Sequence, residues 1–211
     1  EGASGGAPGN APSESRQRPS RPRAKLGDMN NSAPDTATAP HATAYTPLPI
    51  APDVLRQLRD ADDAGRSRAG HVDHEGGSPL RCCLRAVAPG ERVALVSYAP
   101  LRRWAAETGA APGAYDEQGP VFIHADLCDG PAPERAGYPF SRAGALRTVR
   151  RYSADGRIVG GRLLAIPAAE EQGFDEAFAE AFADPEVALV HVRAVEYGCF
   201  HFEVRRPGPR S

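Results

Sequence analysis

The sequence predicts an α+β fold: a single domain on a largely antiparallel sheet built from hairpins, with about three helices. Three observations carry that reading. Strong turn dipeptides, Pro89-Gly90 and Asp155-Gly156, each sit between two apolar runs of strand length. At least five such runs follow one another as hairpins rather than alternating with helices, which argues against a parallel sheet. Phe174, Phe178 and Phe182 recur every four residues, the spacing of an amphipathic helix, before Pro185 stops it.

Each element has a local cause. Pro52 suits the first turn of a helix and Asp53 its positive end, while Val54, Leu58 and Ala61 form a short apolar stripe ending before Gly65. Residues 60–78 lack periodicity and read as a polar loop. Residues 80–87 and 92–98 read as two strands around Pro89-Gly90, with the apolar run VALVS as a central strand. Pro100 opens a second helix, with Leu101, Trp104 and Ala105 on one side and Gly109 as its stop. A loop through Tyr115, Asp116 and Glu117 leads to the strand PVFIHA.

In residues 146–164, Asp155-Gly156 predicts a two-residue type I′ turn. It sets Tyr152 opposite Val159, Arg150 opposite Gly161 and Thr148 opposite Leu163. In HVRAVEYGCFHFEV, residues 191–204, a loop at Glu196-Tyr197-Gly198 sets Val195 opposite Cys199, Arg193 opposite His201 and His191 opposite Glu203. Ala194, Val192 and Val190 then meet Phe200, Phe202 and Val204 on an apolar face.

Residues 1–46 are rich in Gly, Ala, Ser and Pro and read as a disordered tail, with Met29, the only methionine, as a candidate natural start. The globular domain is expected over 47–206, with 207–211 as a C-terminal tail. Residues 1–28 carry five basic and three acidic side chains, leaving 20 basic and 24 acidic in the rest. That acidic excess argues against a nucleic-acid partner. Neither a secretory signal nor a spanning run is evident, so a soluble cytoplasmic protein without membrane association is expected.

Candidate chemistry concentrates in the polar row of residues 191–204. His191, Arg193, Cys199 and His201 alternate with apolar residues and share one face in the predicted register. Arg150 stands on an otherwise apolar face opposite Gly161, where it must be paired or hold a ligand, and Arg81 is a weaker companion. These six residues are the candidate site for a small anionic ligand, gripped by guanidinium and imidazole groups. A solvated sheet face and an internal ion pair are the bland readings beside it. A module binding a small anion or a protein is the expected function; the alternative is an enzyme using Cys199 with His191 or His201 for nucleophilic or acid–base chemistry.

No metal and no other cofactor is expected. The cysteines Cys82, Cys83, Cys128 and Cys199 read as cytoplasmic thiols and lack C-x-x-C spacing. HVDHE at 71–75 resembles the end of the metallo-β-lactamase motif H-x-H-x-D-H, but Ala69 stands where its first His belongs. His124 and Cys128 with Cys199 and His201 have unspecific spacing. Cys82 and Cys83 would point to opposite faces of a regular strand.

Several stretches taken in order resemble one bacterial family, catalogued as domain of unknown function 1203. They are SPLRCCLRAVAPGERVALVSYAP, QGPVFIHA, the Arg150–Tyr152 R-x-Y before the Asp-Gly turn, and FADPEVALVHVRAVEYGCF. The resemblance covers about residues 47–206 and implies a single domain without a conserved N-terminal tail. It puts Arg81, Arg150, His191, Gly198 and Cys199 within recurring motifs. Many members carry Pro-Cys-Arg where this chain has Pro79-Leu80-Arg81, a departure that weakens any role for a cysteine there. The family brings no activity with it.

Overall fold

A computed structural model describes residues 44–133 and 137–208. The expected tail therefore lies outside the described residues up to 43, and the C-terminal one from 209. The predicted class holds: three α-helices accompany two antiparallel sheets. The first sheet has the order β1-β2-β3, with β1 at His71–Val72, β2 at Arg92–Tyr98 and β3 at Gly119–His124. The second has the order β5-β4-β6-β7, with β4 at Leu146–Ser153, β5 at Ile158–Ala165, β6 at Val187–Ala194 and β7 at Phe200–Arg205. Among the described residues no helix is long and apolar enough to cross a membrane.

Proline sets where two helices begin. Helix α1, Pro52–Asp60, buries Val54, Leu55 and Leu58 in the cluster that holds Val93 and Val96 of β2. Helix α2, Pro100–Thr108, ends at Gly109 with φ 79°, the left-handed stop expected there. Its Leu101 and Trp104 pack with Tyr152 of β4 and Leu189 of β6. Helix α3, Glu170–Ala183, lays its phenylalanine stripe on the other face of the second sheet, against Val190, Val192, Phe202 and Val204. Burying one such ring contributes roughly 1.5–3 kcal/mol, so three of them on one helix are enough to fix its docking on the sheet.

Three expectations need correction. Residues 80–87 are not a strand. The Leu80 N–H donates to Arg85 O at 2.8 Å and the Leu84 N–H to Leu80 O at 3.0 Å, which closes a tight turn with Leu84 at φ 57°. Only Pro79, Leu80 and Ala86 make strand-like bridges, Leu80 with Phe122 of β3. The turn is tied to β3 because the Arg81 N–H donates to Phe122 O at 2.9 Å. A turn wins here because a bulky side chain in the left-handed region is held by these bonds, against its own preference.

The Asp155-Gly156 hairpin has a three-residue loop. The Ser153 N–H donates to Arg157 O at 2.9 Å, and only Gly156, at φ 82°, is left-handed, so the turn is not type I′. Tyr152 consequently pairs with Ile158, and a bulge restores Arg150 opposite Gly161 and Thr148 opposite Leu163, as predicted. A second bulge, between Val192 and Arg193, shifts the last hairpin: His191 faces Glu203 as expected, but Arg193 faces Phe200. Just before the expected start at residue 47, Tyr45 packs on the core cluster of α3 and the second sheet. Tyr45 stacks on Phe182 with ring centroids 5.6 Å apart, and its N–H donates to the Tyr138 hydroxyl at 3.1 Å.

Candidate functional site

The bulge in β6–β7 breaks the polar row into three. His191 and Glu203 are buried together, with Nε2 and Oε2 3.0 Å apart, and Arg205 Nε donates to the other Glu203 oxygen at 2.6 Å. Burial pushes the His191 imidazole down, so it stays neutral as a donor, while the His191 and Arg205 bonds outweigh burial and hold Glu203 ionised. Arg193 belongs to a different cluster. Its Nη1 donates to Glu117 Oε1 at 2.7 Å, and Arg150 donates to the same oxygen. Arg150 thus makes an ion pair, with a glutamate that is itself half-exposed. The third group, Cys199 and His201, lies with Arg81 on the wall of a separate cavity.

That cavity, about 740 Å³, sits where the two sheets meet. Leu95 and Phe122 of the first sheet line it, with Phe140 and Arg147 from and before β4. Its volume falls within the range of pockets that enclose small organic ligands. Arg81 is only 2% exposed, yet its Nε donates to Phe200 O at 2.7 Å and its Nη1 to Pro79 O. Among the described residues no carboxylate lies within ion-pair distance of it. Burial pushes its guanidinium down to about 10. Arg147, also buried, donates to Leu146 O at 2.6 Å and to Phe140 O at 2.8 Å, and reaches only the edge of the exposed Glu196 at 4.0 Å. Its Nε and the Nδ1 of His201 are buried without a hydrogen-bond partner among the described residues.

Phe140 joins these groups. The Arg81 guanidinium stands over its ring, 6.0 Å from the centroid, and the His201 ring lies 5.0 Å away. Its backbone is left-handed, φ 57°, a strained position for a phenylalanine. Burial, with Arg81 and Arg147 nearby, pushes the His201 imidazole down to about 3. The wall is thus two buried cations and a neutral imidazole around an apolar space. Among the described residues no hydrogen bond joins Cys199 to either histidine; its thiol donates to Tyr197 O at 3.8 Å.

A second arrangement is built where the 80–84 turn meets the end of β3. Because that segment is not a strand, Cys82 and Cys83 both reach the end of β3. The Cys82 and Cys83 sulfurs are 3.9 Å apart, and His124 Nδ1 is 3.4 Å from the first and 3.9 Å from the second. The His124 N–H donates to Cys82 Sγ at 3.3 Å. Cys128, four residues beyond β3, completes a group whose ligand atoms all lie within 4.8 Å of one another. The bond between the two thiols pushes Cys82 up and holds Cys83 down at about 6. On its outer side His124 Nε2 stands 3.3 Å from Arg85 Nη2 and 3.5 Å from Glu91 Oε1.

The model of a family described as protein of unknown function (DUF1203) matches residues 77–206. The chain belongs to this family. No curated protein and no solved structure matches it. The DUF1203 match takes in the cavity wall from Gly77 to His201 and all four members of the cysteine–histidine group, and leaves α1 and Tyr45 outside.

In this DUF1203 member, Arg81, Cys199 and His201 of the six candidates line one cavity, Arg193 meets Cys199 only in a smaller pocket beside Glu117, Arg150 pairs with Glu117, and His191 is buried against Glu203. Sequence reasoning missed Arg147 and Phe140. Arg147 carried a legible signal, since in β4 it alternates with Val149 onto the core-facing side, the same anomaly that drew notice to Arg150. Phe140 carried none.

Proposed function

We propose that this protein is a cytoplasmic binding module for a small organic anion with an apolar body, seated in the cavity between the sheets. The observation that carries this reading is Arg81. A buried guanidinium bonded only to backbone carbonyls bears a desolvation cost of several kcal/mol, which an anionic ligand would offset. Arg147 with its unpartnered Nε supports a second contact to the same group, and a fork of guanidinium donors matches a carboxylate or phosphate. Leu95, Phe122 and Phe140 supply the apolar surface for the ligand's body. The acidic excess outside residues 1–28 supports a small ligand over a nucleic acid.

Thermal denaturation in matched concentrations of sodium salts tests it, because a ligand bound only by the folded state raises the melting temperature. Benzoate and phenylacetate should raise it more than acetate or inorganic phosphate. Leu95→Glu, at a half-exposed position in the lining, should abolish the shift by putting a carboxylate against the ligand's apolar body and repelling its charge. Arg193→Ala should keep it, since Arg193 belongs to the Glu117 cluster. Shifts absent for every anion, or surviving Leu95→Glu in full, would sink the proposal.

A further inference from the structure

Three sulfurs and one imidazole nitrogen converge where the 80–84 turn meets the end of β3, away from the cavity lining. A zinc ion with Zn–S near 2.3 Å and Zn–N near 2.0–2.1 Å requires, for a tetrahedron, S···S of about 3.8 Å and S···N of about 3.6 Å. The observed separations of 3.9, 3.4 and 3.9 Å among Cys82, Cys83 and His124 are close to those edges. Cys128 stands within 4.8 Å of the other three. We propose that Cys82, Cys83, Cys128 and His124 together hold one zinc ion.

The expectation of no metal rested on unspecific ligand spacing and, for Cys82 and Cys83, on their alternation along a strand; the turn removes the second ground, and the folded chain brings together residues whose spacing in sequence shows no pattern. A chain that closes from Leu80 to Leu84 can aim two consecutive side chains at one point. The donor set also selects the ion. Three thiolates with one imidazole in a tetrahedron suit zinc, while calcium and magnesium require oxygen ligands. The surroundings match the demands of a thiolate site. The His124 N–H already donates to Cys82 Sγ, a bond that stabilises a sulfur carrying negative charge. With Nδ1 on the ion, the proton of His124 would reside on Nε2, on the side that faces the Glu91 carboxylate at 3.5 Å and Arg85 Nη2 at 3.3 Å; Arg85 cannot accept that proton, and it holds Glu91, the acceptor, in a two-pronged ion pair. Each thiol that ligates gives its proton to solvent, so binding carries no redox change. Four protein ligands leave no open position, so the ion's role is structural: it fastens the turn and the loop after β3 together.

The test uses the full chain, purified in reductant. Elemental analysis should find one zinc per chain. Anaerobic titration of the metal-stripped protein with cobalt(II) should produce the visible absorption of a tetrahedral thiolate complex, saturating at one equivalent. Cys128→Ser, at a half-buried loop position, should weaken cobalt binding at least tenfold and reduce the sulfur-to-cobalt absorption. Cys199→Ser should leave both unchanged, because Cys199 lies on the cavity wall. A wild-type protein that carries no zinc and develops no tetrahedral cobalt spectrum refutes the site without any variant. So does undiminished cobalt affinity in both Cys128→Ser and His124→Gln, which would locate the ion elsewhere.

Discussion

The neutral His201 makes a quantitative prediction about pH. Its imidazole is buried beside Arg81 and Arg147 and is pushed down to about 3, against an ordinary value near 6.5. Between these values the unfolded chain binds a proton at this position and the folded one does not. Stability therefore falls as pH falls through that window, and is unaffected above it. At pH 5 about 1.5 of the 3.5 pKa units have been expressed, which at 1.36 kcal/mol per unit is about 2 kcal/mol relative to pH 8. For a domain of this size that corresponds to a melting temperature lower by about 4–8 °C. His191 and Glu203 act in the same direction, so the wild-type loss alone does not isolate His201. The comparison with His201→Gln does: the variant should lose less between pH 8 and pH 5, by about 2 kcal/mol in urea denaturation. Equal losses in the two proteins would refute the account of a charge-starved imidazole. Saturating benzoate should also shrink the wild-type loss, since an anion beside His201 offsets the two guanidiniums.

Three further outcomes follow from packing and pairing. Phe178→Ala removes a fully buried ring from the stripe on α3 and should cost about 3–5 kcal/mol by denaturant unfolding. Gly173→Ala sets a helix-propensity gain of about 1 kcal/mol against a Cβ that would stand 2.4 Å from the Pro167 ring; the clash should win, with a net loss visible as a lower melting temperature. Glu117→Gln leaves Arg150 and Arg193 facing each other without a counter-charge and should destabilise, with the loss shrinking as salt is added, whereas Arg193→Ala in that background should restore part of it.

What was legible in the sequence was local. Pro52, Pro100 and Pro185 bound helices because proline restricts its own backbone and its neighbours', and the phenylalanine stripe on α3 needs only a period to be seen. The Asp155-Gly156 turn was legible in place but not in type, because the choice between two and three loop residues depends on how β4 and β5 pack farther along. The segment LRCCLRAV has strand-like composition, and its turn exists only because Leu84 is held in a backbone region that composition argues against. That misreading hid the cysteine–histidine group, whose two halves, Cys82 with Cys83 and His124 with Cys128, lie 41 or more positions apart. Arg147 was recoverable by applying to β4 the face-counting already used for Arg150. His191 and Glu203 pair as their spacing predicts, but the burial of His191 between Tyr152 and Phe200 was not visible from one strand.

The bulge between Val192 and Arg193 has an evolutionary corollary. Before it, β6 and β7 alternate in step; beyond it, one residue is out of phase, so Phe200 reaches His191 while His201 reaches Phe140. The hairpin works like a gear with one tooth removed, letting a single stretch of chain mesh with two different surfaces. Substitutions that keep that phase can be absorbed one side chain at a time. Loss or gain of one residue between 195 and 200 exchanges the imidazole for an aromatic ring on both surfaces at once, so length in this loop is more constrained than identity.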